Sequence, residues 1–239
     1  MSEPRNFDHF ASSYQAEMSD ALGRLGGEST YYLAQKVHLL ARELKKSERR
    51  RILDFGCGIG LAIPFLIEAF SPDLLVCSDE SEESLNILRK EHPDVRALSI
   101  EQVGTDEFDL VFVANVLHHI KPTVRQRGIQ DLCNRLRPGG VIGVFEHNPF
   151  NLITQRIVSK CIFDEGVELL RKSEVLSYFE DSKEMSVVKS GYCLFTPEPL
   201  KKVNWIDKYL QWVPFGGQHF VLAQRRSKLI GHQLESGKV

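Results

Sequence analysis

The chain has 239 residues, 42% hydrophobic and 26% charged, which is enough apolar material for one full core and the composition of an ordinary globular protein. A formal net charge of -2 gives no global attraction to phosphate backbones or anionic lipid, and no apolar stretch reaches the length of a membrane span, so neither a nucleic-acid partner nor a spanning helix is expected. The polar start "MSEPRNFDHF" has no apolar leader core, and five scattered cysteines without a Cys-x-x-Cys spacing point to buried thiols in a cytoplasmic protein.

Residues 28 to 46, "ESTYYLAQKVHLLARELKK", set Tyr32, Val37, Leu40 and Leu44 at helical spacing, which predicts an amphipathic helix. Alternating units follow: "RILDF" as strand, "LAIPFLIEAF" as helix, "LLVCSD" as strand, and "SEESLNILRKEH" as a helix with Ser81 at its N-cap. After a short piece "VRALSI", the run "FDLVFVAN" is apolar at successive positions, as a strand buried on both faces requires. The helix "TVRQRGIQDLCNRL" should stop at "RPGG", and "VIGVFEH" is the next buried strand. This rhythm implies a doubly wound α/β sheet with right-handed crossovers. Beyond residue 149, "NPFNLITQRIVSKC", "RKSEVLSYFED" and "PEPLKKVNWIDKYLQWV" read as helices, "MSVVKSGYCLF" and "QHFVLAQR" as strands, and residues 227–239 as a polar tail.

The stretch "RILDFGCGIG" carries the chemistry. In open α/β sheets the first glycine-rich turn lies at the ligand-binding edge. Counting from Gly56, the third glycine of a dinucleotide fingerprint would fall on Leu61, and no Gly-Lys-Ser/Thr follows for a phosphate loop. The carboxylate of Asp54 would repel a pyrophosphate in a partly desolvated site, whereas an ammonium or sulfonium would be favoured there. Asp79, 25 residues after Asp54 at the end of a strand, can accept from two ribose hydroxyls. These features argue against a nicotinamide-dependent reductase.

With "ILDFGCGIG", "CSD", "FDLVFVANVLHHI" and "LRPGGVIGVFEH" in this order, the chain resembles the class I S-adenosylmethionine-dependent methyltransferases, well over residues 7–148 and loosely beyond. The resemblance implies a Rossmann-like, seven-stranded, mostly parallel sheet with helices on both faces. It also implies an N-terminal helical lid over residues 1–48 and a catalytic domain over 49–226, with acceptor-side inserts near 149–180 and 197–217. Carried over position by position, Asp54, Gly56, Cys57, Gly58 and Gly60 would hold the methionine end of S-adenosylmethionine, and Asp79, with Glu80 beside it, the ribose. Glu101 or Gln102 would face the adenine, although "SIEQV" departs from the usual Gly-Asp pair there. Asn115 would line the site, and Tyr14 in "FDHFASSYQ" would close over it.

Methyl transfer from a sulfonium calls mainly for alignment and a dry site, and needs no metal. A hydroxyl or amine acceptor needs a base, for which His119, Glu146 and His147 are the candidates; a carboxylate needs none. His118 is expected to pack while its neighbour His119 faces the site, and strand alternation is expected to put only one of Glu146 and His147 in the cleft. The expected activity is methylation of a small molecule at oxygen, releasing S-adenosylhomocysteine. The alternatives are a macromolecular acceptor, RNA or protein, and a cofactor-binding protein without catalysis. Trp205, Trp212 and Phe215 are candidates for a substrate wall or a homodimer interface.

Overall fold

The structure, a computed structural model, describes residues 29–44, 50–104, 107–161, 164, 166–180 and 182–227. Of the lid assigned to residues 1–48, residues 1–28, with Tyr14, and 45–48 lie outside them, as does the tail beyond 227.

The described chain runs α1 (Ser29–Glu43), β1 (Arg51–Phe55), α2 (Ile63–Phe70), β2 (Leu74–Asp79), α3 (Glu82–Glu91), β3 (Arg96–Ser99), β4 (Phe108–Ala114), α4 (Pro122–Asn134), β5 (Leu136–His147), α5 (Leu152–Val158), α6 (Lys172–Glu180), β6 (Met185–Cys193) and β7 (Gln218–Arg225). Seven strands form one sheet in the order β3-β2-β1-β4-β5-β7-β6. Strands β1 to β5 pair parallel, and β7 runs antiparallel to both β5 and β6. Strand order therefore reverses between β1 and β4, and a cleft opens above their carboxyl ends. Among the described residues no helix is long and apolar enough to cross a membrane.

The continuous apolar runs make sense because both faces are covered. Along β4, Leu110 and Phe112 join a core containing Val37, Leu40, Ile63 and Phe220, while Val111 and Val113 join the opposite core with Leu132, Val175 and Phe179. In β5 the alternation is the same: Val141 and Phe145 face one way, Ile142 and Val144 the other. Burying each such side chain is worth about 1.5–3 kcal/mol. Arg125 of α4, 1% exposed, ties α4 to the segment before α6 through the Ile120 and Glu168 carbonyls and the Glu174 carboxylate.

Two readings are corrected by the structure. Strand β5 begins at Leu136, not after the Gly pair, because Leu136 pairs with Phe108 and residues 137–140 form a bulge before Val141 pairs with Leu110. The segment Glu198–Tyr209 is a 3₁₀ stretch with a non-helical Leu200, not an α-helix. The backbone leaves helical geometry at Leu200, and the Asp207 carboxylate turns back to accept from the backbone N–H groups of Phe195 and Thr196.

Candidate active site

The glycine loop follows β1 and is stitched to the end of β2. The N–H groups of Gly56 and Cys57 both donate to the Ser78 carbonyl, at 2.8 and 3.1 Å. Gly56, Gly58 and Gly60 all have positive φ, the conformation that favours glycine. Their needs differ. A Cβ on Gly56 would lie 2.4 Å from a methyl carbon of Val116, whereas one on Gly58 would meet nothing within 4 Å, so Gly58 keeps open a space at the mouth of the loop.

Asp79 closes this turn: one oxygen accepts from Gly58 N–H at 2.8 Å and the other from Ser81 N–H at 2.9 Å. Each carboxylate oxygen accepts about two hydrogen bonds, so the same atoms can also receive ribose hydroxyls. Asp54, 3% exposed, has a wholly buried Oδ2 with no hydrogen-bond partner among the described residues. Burial, reinforced by the nearby Asp79, pushes its pKa up to about 7. A buried carboxylate oxygen without a donor is costly, and a cationic ligand group supplies what it lacks. The Cys57 thiol, half-buried and hydrogen-bonded with Cys77, is held well above its ordinary pKa by that bond and by desolvation.

The adenine edge is less complete. Exposed Glu80 is raised in pKa by partial desolvation and by Asp79 and Glu101, which places three carboxylates along one wall. Gln102 has its amide oxygen engaged by Ser99 N–H at 3.0 Å, as half of a capping box on the 3₁₀ turn Ile100–Val103. Glu101 is exposed beside it. Asn115 takes a left-handed φ of 60° at the end of β4, and its side chain accepts from Gln218 Nε2 at 2.8 Å.

Beyond Asn115 the structure assembles a cluster. Glu146, 0% exposed, accepts from the N–H groups of Val116 and Leu117 at 3.0 and 2.7 Å, and its other oxygen meets His118 Nδ1 at 2.6 Å. On its far side His118 Nε2 lies 3.3 Å from Asp164, to which His119 Nε2 comes within 3.5 Å and His147 Nε2 within 4.0 Å. Burial alone would discharge His118, but Glu146 and Asp164 outweigh it and raise its pKa. Burial would conversely raise both carboxylates, and His118 holds them low. Burial and the neighbouring His118 charge keep His147 neutral.

Strand β5 ends at His147, and His118 lies between the side chains of Glu146 and His147, 2.6 Å from Glu146 through Nδ1 and with its ring 5.2 Å from that of His147. Of the two, Glu146 is wholly buried and His147 is the partly open one, at 16% side-chain exposure. His118 is not mere packing, since it is the hub of the cluster and His119 its more open member, at 21% side-chain exposure. The sequence reading missed Asp164 and Lys36. Lys36 is 2% exposed, and burial lowers its pKa to about 8 despite nearby Glu146. It falls three residues after Leu33 and four before Leu40, so its place on the apolar face of α1 was available from spacing; Asp164, within an irregular stretch, gave no signal.

The comparisons with known proteins agree with this geometry. Residues 53–142 match the model of a family described as a methyltransferase domain. The chain is 29% identical over 177 residues to the mouse tRNA N(3)-cytidine methyltransferase METTL2, a match covering 67% of this chain and 43% of that protein. It thus spans less than half the length of this relative. The fold is shared with an S-adenosylmethionine-dependent methyltransferase from Mesorhizobium loti (TM-score 0.59, 18% identity, 79% of this chain and 96% of that one). It is also shared with the plantazolicin methyltransferase BpumL in complex with S-adenosylhomocysteine (TM-score 0.61, 15% identity, 93% and 95%). Strand order and structural likeness give the chain the fold of the class I S-adenosylmethionine-dependent methyltransferases, and residues 53–142, which hold the glycine loop, are similar to a methyltransferase domain. The unpartnered Asp54 oxygen, the open space at Gly58 and the paired oxygens of Asp79 fit that cofactor.

Proposed function

We propose that the chain methylates a small apolar or amphipathic acceptor at oxygen. The observation that carries this reading is the position of the histidine cluster: it stands one residue beyond the cofactor loop, through Gly56 against Val116 and Val116 N–H on Glu146, and the segments that follow His147 and precede Gln218 carry exposed apolar side chains. Phe150, Leu152 and Ile153 on one side and Trp205, Trp212 and Phe215 on the other are exposed by 52–80%. The two segments are joined by Asn148 and Asn151, whose amides donate to the carbonyls of Pro214, Gly216 and Phe215. Such an aromatic rim suits an apolar body better than a phosphate backbone.

When bound, the cofactor supplies an electrophilic methyl group on sulfur. Asp54 would hold the cationic methionine end, the loop amides the backbone of the ligand, and Asp79 the ribose, with Glu80, Glu101, Gln102 and Asn115 along the adenine and acceptor walls. His119, the more open imidazole, takes the proton from an acceptor hydroxyl in this reading, and His147 is the second candidate. Glu146 acts through His118, since it is buried and already holds three donors. A carboxylate acceptor would ask the same residues only to orient it.

A second reading, a macromolecular acceptor, is supported by the similarity to the tRNA methyltransferase METTL2. The formal charge of -2 gives it no electrostatic help. Incubation with labelled S-adenosylmethionine against a metabolite and lipid extract, and in parallel against transfer RNA, decides between them. Label in an extractable small molecule supports the proposal, and label only in RNA overturns it.

A further inference from the structure

Three imidazoles converge by their Nε2 atoms on the single carboxylate of Asp164, at 3.3, 3.5 and 4.0 Å for His118, His119 and His147. The donor atoms of His118, His147 and Asp164 lie within 4.8 Å of one another. Four ligands at about 2.0–2.2 Å around a tetrahedral ion stand roughly 3.3–3.5 Å apart, so small side-chain movements would bring this set to bonding geometry.

The support behind the set has the form that metal-binding histidines use. The Nδ1 side of His118 is braced by Glu146 at 2.6 Å, and Glu146 is itself fixed by two backbone N–H groups. The Nδ1 of His147 faces the Gln218 amide nitrogen at 3.3 Å, and the same nitrogen donates to Asn115 Oδ1; with both amides turned about their last bonds, the Gln218 oxygen accepts from His147 Nδ1 and from the Asn115 amide, which fixes the tautomer with Nε2 bare. Gln218 is braced in turn by Asn115. Exposure is graded: the side chains of His118 and Asp164 are 1% and 8% exposed, while those of His147 and His119 are 16% and 21%. One side of the set is sealed and the other opens to the acceptor mouth.

We propose that His118, His119, His147 and Asp164 bind one divalent transition-metal ion. Three nitrogens and one carboxylate suit zinc, cobalt, nickel or iron better than magnesium or calcium, which take oxygen ligands. Methyl transfer does not itself require such an ion. This rests on the oxygen-acceptor reading above but replaces the free imidazole base: with His119 and His147 as ligands, the ion would acidify an acceptor hydroxyl, or one of two adjacent oxygens, that completes the coordination on the His119 side, and its proton would pass to solvent.

The test uses the full chain, stripped with chelator and checked for folding by circular dichroism. Calorimetric titration with Zn²⁺, and with Co²⁺ followed by visible absorption, should show one equivalent bound and the d–d bands of a low-symmetry nitrogen–oxygen site. His147→Ala and Asp164→Asn should each weaken binding at least 100-fold, the partly exposed His119→Ala clearly, and the bracing variant Glu146→Gln by about 10–100-fold. Absence of stoichiometric binding to the folded wild-type chain would overturn the proposal, as would binding unchanged in His119→Ala and His147→Ala. Binding of S-adenosylhomocysteine to the stripped protein is measured separately, so loss of the metal site leaves the methyltransferase reading standing, and loss of cofactor binding does not count against the metal.

Discussion

Between Asp54 and Asp79 the site is made of backbone: loop amides bonded to the Ser78 carbonyl, glycines in left-handed conformations, and two carboxylates that cap and face the turn. Between His118 and Gln218 it is made of side chains from five separate segments, held by charge and by one another. The first kind of site is specified by a short stretch and tolerates few residues. The second depends on the whole fold, so its members can be changed without disturbing the cofactor loop, and that independence can be tested.

The largest separation is expected on the side-chain half. If His119 removes the acceptor's proton, His119→Ala should lower kcat by about 10²–10⁴ while the dissociation constant for S-adenosylhomocysteine stays within about twofold. Steady-state kinetics beside calorimetry reads both, and a parallel loss in both would mean the two halves are not independent. On the backbone half, Asp79→Ala removes the acceptor of Gly58 N–H and Ser81 N–H along with the ribose contact, and should weaken cofactor binding by about 1–3 kcal/mol without a specific effect on acceptor KM.

The two glycines sharpen the comparison within the loop itself. Gly56→Ala drives a Cβ into Val116 and should cost the free protein about 1–3 kcal/mol of stability in denaturant melts. Gly58→Ala has open space and should cost only about 1 kcal/mol, for its positive φ, yet weaken cofactor binding by more than that, because the space is the ligand's. Equal effects of the two on stability would contradict this reading.

The smallest expected effect is a pH dependence. Asp54 in the free protein is raised from 3.8 to about 7, so the protonated form is favoured. The stability it contributes is present at low pH and lost as pH rises through about 7. A cationic ligand draws the pKa back down, so binding releases a proton below that point. Cofactor affinity should therefore rise by at most about tenfold per unit up to about pH 7 and then level off, and Asp54→Asn should flatten the curve.

Much of the cofactor half was legible in the sequence because its determinants are local. The glycine spacing, Asp54 and Asp79 lie within 26 residues, and the βαβ rhythm around them fixes which edge of the sheet they occupy. The doubly wound sheet and the burial of β4 on both faces followed from the same periodicity. The acceptor half was not legible, because its contacts span 28 residues from His118 to Glu146 and 46 from His118 to Asp164, and Asp164 sits in no periodic segment. Where a pattern did exist, it misled: helical spacing over Glu198–Tyr209 was overruled by the break at Leu200 and the turn back of Asp207. Lys36 differs again: helical spacing puts it on the apolar face of α1, and only its neighbours Cys193 and Glu146 had to come from the folded chain.

The most direct test of the account is calorimetry of the purified chain with S-adenosylmethionine, S-adenosylhomocysteine and NAD. The unpartnered carboxylate of Asp54 on a glycine loop that lacks the third dinucleotide glycine predicts one site for each sulfur ligand, in competition with the other, and no measurable heat with NAD. Tight NAD binding with none of either sulfur ligand would contradict it.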